Sequence, residues 1–301
     1  MRKGILLVLF LMIASVLTGC GFGSDFKIKM TKPLYFGAGK EMPFEIQVVE
    51  NGKPVKGLDV TAQIDMANMD HGTIQTNLLE GKNGTYSGKA KIRMGGKYEL
   101  AFTLKKSGKT VEKVVDYVVK KPKGVASING TWIKTEDLSF YQFSNTLQLA
   151  LNQEIARKKY SGQQLEETLA YWDAQEKINS NKNLLLTQII RLRSMAMLAE
   201  EKGHKADQQE IAAKVNSLRS EYGKSPTASE MIKDYGEEKF WHEEQEHFEW
   251  VVLADKVQKD LTEKVKKENP QAGAQEIEYL AQQKYEELLV SQVNSLHIEI
   301  L

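Results

Sequence analysis

The apolar residues of this chain change period once, near Pro122, and that change sets two separate folding problems. Upstream, Phe44-Glu45-Ile46-Gln47-Val48 and Val60-Thr61-Ala62-Gln63-Ile64 alternate apolar with polar, as do Tyr98 to Leu104 and Val111 to Val119. Turn pairs separate these runs: Asn51-Gly52, Lys56-Gly57, Asn83-Gly84, Gly95-Gly96 and Ser107-Gly108. Short alternating strands at such spacing predict an immunoglobulin-like antiparallel β-sandwich of about seven strands over residues 27–120. Downstream, Phe140, Phe143, Leu147, Leu151 and Ile155 recur every three or four positions, and Leu185, Ile189, Leu192, Ala196 and Ala199 do the same. Ile211, Val215 and Leu218, then Trp250, Leu253, Val257 and Leu261, and finally Ile277 to Leu296 continue the helical rhythm. The expected fold class is therefore α+β with several domains: a sandwich, a polar linker at 121–124, and a mostly α-helical domain at 125–301.

Small signals place the ends of that second domain. Asn129-Gly130 suits the paired positive φ of a type I′ turn, so Val125 to Ile133 should form a hairpin. Thr135 is the expected N-cap of the first helix. Gly203 and Gly223 are expected helix stops. The closing His297-Ile298-Glu299-Ile300-Leu301 reads as a strand with no local partner, so it is expected beside the Val125–Ile133 hairpin.

The N-terminus reads as an export signal. Arg2 and Lys3 precede an apolar run from Ile5 to Leu17, too short for a membrane-spanning helix, which needs about 20 residues. The run ends in Leu17-Thr18-Gly19-Cys20, and Cys20 is the single cysteine of the chain. These four residues resemble the lipobox of bacterial lipoproteins. The resemblance implies a signal peptide at 1–19, a diacylglycerol on the Cys20 sulfur, a tether at 20–26, and attachment to the extracytoplasmic face of the cell membrane. A lone lipidated cysteine leaves no disulfide. A net charge of +1 without a basic cluster argues against a nucleic-acid partner.

The helical half resembles the non-catalytic part of the PrsA/SurA family of extracytoplasmic foldases. The carriers are Val125-Ala126-Ser127-Ile128-Asn129-Gly130-Thr131-Trp132-Ile133, the helix from Leu184 to Gly203, the capped start at Ala206-Asp207-Gln208, and the closing Ile298-Glu299-Ile300. The parvulin isomerase domain that many members carry has no room in the segment from Thr262 to Glu276. The resemblance implies a chaperone that binds exported polypeptides without prolyl isomerisation. Its expected client-facing residues are Met195, Met197, Phe240, Trp241, Phe248 and Trp250, and the plain alternative is that these are core residues at helical spacing.

The sandwich holds Met66-Ala67-Asn68-Met69-Asp70-His71-Gly72. Two thioethers and an imidazole within six residues suit a soft monovalent ion, copper(I) above all. With Gly84-Thr85-Tyr86-Ser87-Gly88 and Met94-Gly95-Gly96-Lys97-Tyr98-Glu99-Leu100, the segment resembles YtkA-like and FixH-like sandwich domains. That resemblance implies Met66, Met69 and His71 as metal ligands, with Met94 as a fourth. The other reading is a turn whose methionines pack the sandwich end.

His242-Glu243-Glu244-Gln245-Glu246-His247 has one residue too many for the i,i+4 histidine pair of a zinc protease helix. It reads as a solvated helix face with Glu243–His247 and His242–Glu246 pairs. No catalytic constellation is present, so no enzyme is expected. The expected function is a lipid-anchored chaperone or assembly factor; the alternative is a copper-handling lipoprotein whose partner is a membrane-bound copper protein. No cofactor beyond copper is suggested.

Overall fold

The computed structural model describes residues 25–67, 69 and 72–301. Cys20, Asp70 and His71 lie outside the described residues. The chain forms two compact units, Met1–Pro122 and Lys123–Leu301.

The first unit is an antiparallel sheet curled around one core. Its strands are β1 (Phe26–Lys32), β2 (Met42–Glu50), β3 (Lys53–Pro54), β4 (Asp59–Met66), β5 (Ile74–Glu80), β6 (Thr85–Ala90), β7 (Gly96–Lys106) and β8 (Lys109–Val119). Their order is β1-β2-β6-β5-β4-β7-β8, with β3 paired to β2. The two-residue β3 raises the count to eight. The joint between β5 and β6 is narrow, only Leu79↔Ser87 and Glu80↔Tyr86. The alternation seen in the sequence is the burial pattern: Phe44, Ile46 and Val48 of β2, Val60, Ala62 and Ile64 of β4, and Leu100, Phe102 and Leu104 of β7 all point inward. Ser107 and Gly108 take φ of 51° and 77°, which closes the tight β7–β8 hairpin through the Lys106↔Lys109 pair.

The second unit begins with β9 (Ala126–Ile128) and β10 (Thr131–Ile133). Asn129 and Gly130 adopt φ of 48° and 83°, the paired positive values expected of this turn. Seven helices follow: α1 (Thr135–Lys159), α2 (Gly162–Asn179), α3 (Lys182–Glu201), α4 (Gln208–Tyr222), α5 (Pro226–Tyr235), α6 (Glu237–Glu268) and α7 (Ala274–Ser295). The last strand, β11 (Ile298–Ile300), pairs antiparallel with β9, so the sheet runs β10-β9-β11 and joins the two ends of the unit as expected. Asn129 reinforces this closure. Its amide donates to the His297 carbonyl at 2.8 Å, and its side-chain oxygen accepts from the His297 amide at 2.9 Å.

Three local expectations need correction. The N-cap of α1 is Lys134, not Thr135, and the Asp137 carboxylate accepts the Lys134 amide at 2.7 Å. Ile155 shares the helical spacing of Leu147 and Leu151 but is 58% exposed, whereas its neighbour Ala156 is buried. Helices α2 and α5 were not anticipated. Asp207 caps α4 as expected, accepting from the amides of Gln209 and Glu210 at 2.7 and 3.3 Å. Among the described residues no helix is long and apolar enough to cross a membrane.

Candidate functional site

The end of the sandwich where β4 stops and β7 starts holds a cavity of about 380 Å³. Met66, Gly72, Thr73, Ile74, Lys91, Arg93, Met94 and Tyr98 line it. Strand pairing explains why residues so far apart in sequence meet here. Met66 is the last residue of β4 and sits opposite Tyr98 of β7. The Tyr98 hydroxyl donates to the Met94 carbonyl at 2.9 Å, which ties the 91–95 turn to the strand it precedes. Burial raises the Tyr98 pKa, so that donor keeps its proton. On the other side, the Met69 amide reaches back to the Met66 carbonyl at 3.4 Å, and the Thr73 hydroxyl donates to Asp65 at 2.5 Å.

Met66 is half-buried, while Met69 and Met94 are 54% and 41% exposed. Two of the four ligand candidates, Met66 and Met94, therefore face one cavity. Gly72, the neighbour of His71, lines the same space. Met69 is not among its described lining residues, and neither is a carboxylate; Asp65, at the end of β4, accepts from Thr73 and Gln63. Thioether donors suit a soft ion. The long side chains of Lys91 and Arg93 stand at the rim and are exposed.

The helical unit has a different, more polar cavity of about 530 Å³, walled by α1, α3, α6 and the segment before them. Arg193 crosses its floor. The guanidinium holds Asp137 at 3.0 Å and the Trp132 carbonyl at 3.2 Å, and lies 5.5 Å from the Trp250 ring centre. Tyr141 and His247 meet beside it, 2.9 Å from hydroxyl to Nδ1. Burial, helped by Arg193, pushes the His247 pKa down to about 4, so the ring is neutral at physiological pH. Burial raises the Tyr141 hydroxyl well above its ordinary range. Next to them Glu244 is buried and accepts from the Ser144 hydroxyl at 3.4 Å, and burial drives its pKa up to about 7.

The His242–His247 segment is thus not the solvated face expected from its composition. His242 and Glu246 are exposed and form the expected pair at 3.5 Å. Glu244 and His247 turn inward, and Glu243 accepts from the Tyr235 hydroxyl at 2.8 Å rather than pairing with His247. The sequence reading missed this because α6 is packed by α3, α4, α5 and α7 and so lacks a simple dry and wet side. The one available signal was the i,i+3 spacing of Glu244 and His247, which puts both on the side of Phe240.

The expected client-facing residues are dispersed. Met195 and Phe240 are fully buried, and Trp241 is nearly so. Met195 belongs to the α3–α6–α7 core, whereas Phe240 and Trp241 belong to the aromatic core with Phe140, Tyr222 and Ile232. Met197 packs half-buried against the β9–β10 core, and Phe248 is half-buried beside the His247 ring. Of the six, Trp250 lines the polar cavity of this unit. The reason is that helical periodicity marks packing faces, and here those faces all found partners. Among the described residues no group of three His, Cys, Asp or Glu side chains is placed to hold a metal ion.

Residues 23–103 match the YtkA-like family model, which covers the sheet through most of β7. Two solved structures are each similar to about a third of the chain. A DUF4426 family protein from Pseudomonas aeruginosa is 11% identical, with 33% of this chain and 94% of that chain covered and a TM-score of 0.27. A DUF4785 family protein from Legionella pneumophila is 14% identical, with 34% and 30% covered and a TM-score of 0.24. A search of the curated proteins finds no match.

Proposed function

We propose that this protein is a membrane-anchored lipoprotein that handles copper(I) on the extracytoplasmic side, with the ion taken at the cavity end of the sandwich. The observation that carries this reading is the convergence of Met66 and Met94, 28 positions apart, on one cavity that Gly72 also lines. In the proposed site Met66 and Met94 supply thioether sulfurs, His71 supplies an imidazole, and Met69 on the exposed turn closes over or releases the ion. Copper(I) needs few, soft donors, and thioethers suit it better than they suit calcium or magnesium. The proposed role is binding and transfer of the ion. Titration of copper(I) into the mature chain against a competing chelator tests it. Stoichiometric binding abolished in a Met66→Leu/Met94→Leu variant is expected; equal binding by that variant would sink the proposal.

A second reading concerns the helical unit, as a docking module for exported polypeptide or for the acceptor of the ion. The observation favouring it is α2, whose eighteen residues include no buried side chain. Tyr171 and Ile178 of this helix are 55% and 49% exposed. This face, rather than the core residues Met195 and Phe240, is where a client would bind. Suppression of aggregation by the wild type, lost with Tyr171→Ser/Ile178→Ser, supports this role, and no suppression by the wild type removes it.

A further inference from the structure

The charge of the chain is near zero only as a sum. Residues 25–122 carry 17 Lys and Arg against 11 Asp and Glu, whereas residues 123–301 carry 22 against 29. Cations stand at both ends of the sandwich, and the topology gathers one set of lysines at the end where the described chain begins. Strand β1 starts opposite the end of β2, at the Phe26↔Glu50 pair, so Asp25 enters at the end that bears the Asn51-Gly52 turn. Strand β3 pairs back on Val49 and Glu50 at this same end. The start of β4 meets the end of β7 through Asp59↔Lys105. Lys106 Nζ donates to the Lys56 carbonyl at 2.6 Å, joining the β3–β4 connection to the β7–β8 turn. Gln47, near the end of β2, donates to the Asn83 carbonyl at 3.0 Å, so the Lys82 turn lies here too.

Lys27, Lys53, Lys56, Lys82, Lys105 and Lys106 therefore crowd one end of the sandwich, and all six are exposed. Asp25, Glu50, Asp59 and Glu80 sit among them; the Glu80 carboxylate is engaged by the Gly57 amide at 2.9 Å. The balance remains positive. The metal cavity, with Met66 and Met94, is at the opposite end of β4 and β7.

We infer that this lysine-bearing end is a docking surface for anionic phospholipid headgroups, which seats the sandwich on the bilayer with its cavity pointing away. The inference rests on the lipid-anchor reading for its geometry. Five residue steps separate Cys20 from Asp25, a reach of at most about 18 Å, so an anchored Cys20 keeps this end within a short distance of the headgroups. At that range lysines interact with a negative leaflet at about a fivefold gain in partition each, and the effect decays within a Debye length of about 10 Å. Exposed lysines have little cost of desolvation because the headgroup region is wet.

The experiment uses the mature chain from residue 20 with Cys20→Ser, so that no lipid contributes, and measures co-sedimentation with vesicles. Binding to phosphatidylglycerol-containing vesicles is expected, with none to pure phosphatidylcholine and loss of binding at high salt. Replacing Lys53, Lys56, Lys82 and Lys105 by Gln should lower partition on the order of 500-fold. Lys91→Gln/Arg93→Gln, at the cavity end, should leave it unchanged, and thermal unfolding of each variant reports whether the fold is intact. Absence of binding to anionic vesicles, or equal loss in the Lys91/Arg93 variant, overturns the inference. The anchor is tested apart, by the mass of the wild-type protein extracted from membranes. A missing acyl mass removes the anchor reading and leaves the vesicle result standing on its own.

Discussion

The Nδ1 atom of His247 lies 2.9 Å from the hydroxyl of Tyr141, a hydrogen bond that joins α6 to α1 inside the helical unit. It holds a neutral imidazole one helical turn from the buried carboxyl of Glu244, and the two groups respond to pH in opposite directions. His247 titrates at about 4 when folded against an ordinary 6.5. Below 6.5 the unfolded chain takes a proton that the folded chain refuses, so stability is lost as pH falls, by about 3 kcal/mol in full. Glu244 titrates at about 7 when folded against 4.5. Here the folded chain keeps a proton that the unfolded chain gives up, so stability is lost as pH rises from 4.5 to 7, by a similar amount.

Between pH 4.5 and 6.5 the two slopes oppose each other, and their contributions to stability should largely cancel. Glu244→Gln removes one slope and should leave a helical unit that gains stability with rising pH across this window. His247→Gln should do the reverse. Denaturant unfolding followed by tryptophan fluorescence measures this cleanly, because all four tryptophans, Trp132, Trp172, Trp241 and Trp250, belong to the helical unit. Two variants with parallel pH profiles would contradict the assignment of both groups.

The sandwich core has its own hydrogen-bonded anchor in Tyr86, whose ring is fully buried. Its hydroxyl accepts from the Leu58 amide at 3.2 Å and donates to the Val55 carbonyl at 2.9 Å, pinning the β3–β4 connection. Tyr86→Phe leaves the Leu58 amide buried without a partner and should cost about 2 kcal/mol. Hydrogen exchange at the amides of β4 and β6 should quicken, while the fluorescence transition of the helical unit stays where it was.

Asn129 unites two requirements at one position: a positive φ and a side-chain oxygen for the His297 amide. Asn129→Ala loses both and should destabilise the helical unit by about 2 kcal/mol. Asn129→Gly restores the backbone freedom alone and should recover about half. A fluorescence-monitored melt of the three chains ranks them, and an alanine variant as stable as wild type would show that the closing strand needs no such clasp.

Much of this architecture was legible because local and tertiary demands agree. Phe44, Ile46 and Val48 alternate in sequence because the sheet has one dry face, and Asn129-Gly130 announces its turn by chemistry alone. Ile298 to Ile300 had no partner nearby, which was enough to place it beside β9. The interior of the helical unit was harder to read. Three of the apolar residues expected to meet a client, Met195, Phe240 and Trp241, are buried, since periodicity reports that a face is covered and not by what. Helix α2 was missed because its Leu165, Leu169 and Trp172 are only half-buried and most of its other positions face water. The convergence of Met66 with Met94 required the β4–β7 pairing, which no local pattern encodes.

The eleven residues of β7 run from the cavity end to the lysine end of the sandwich, a length of roughly 33 Å at about 3.3 Å per residue. For a sandwich standing on its lysines, that strand is a ruler. It fixes the altitude at which cargo can change hands, several times the thickness of the headgroup layer. An acceptor whose port opens at the bilayer surface lies below the exchange plane, and one that projects a domain of similar height meets it level.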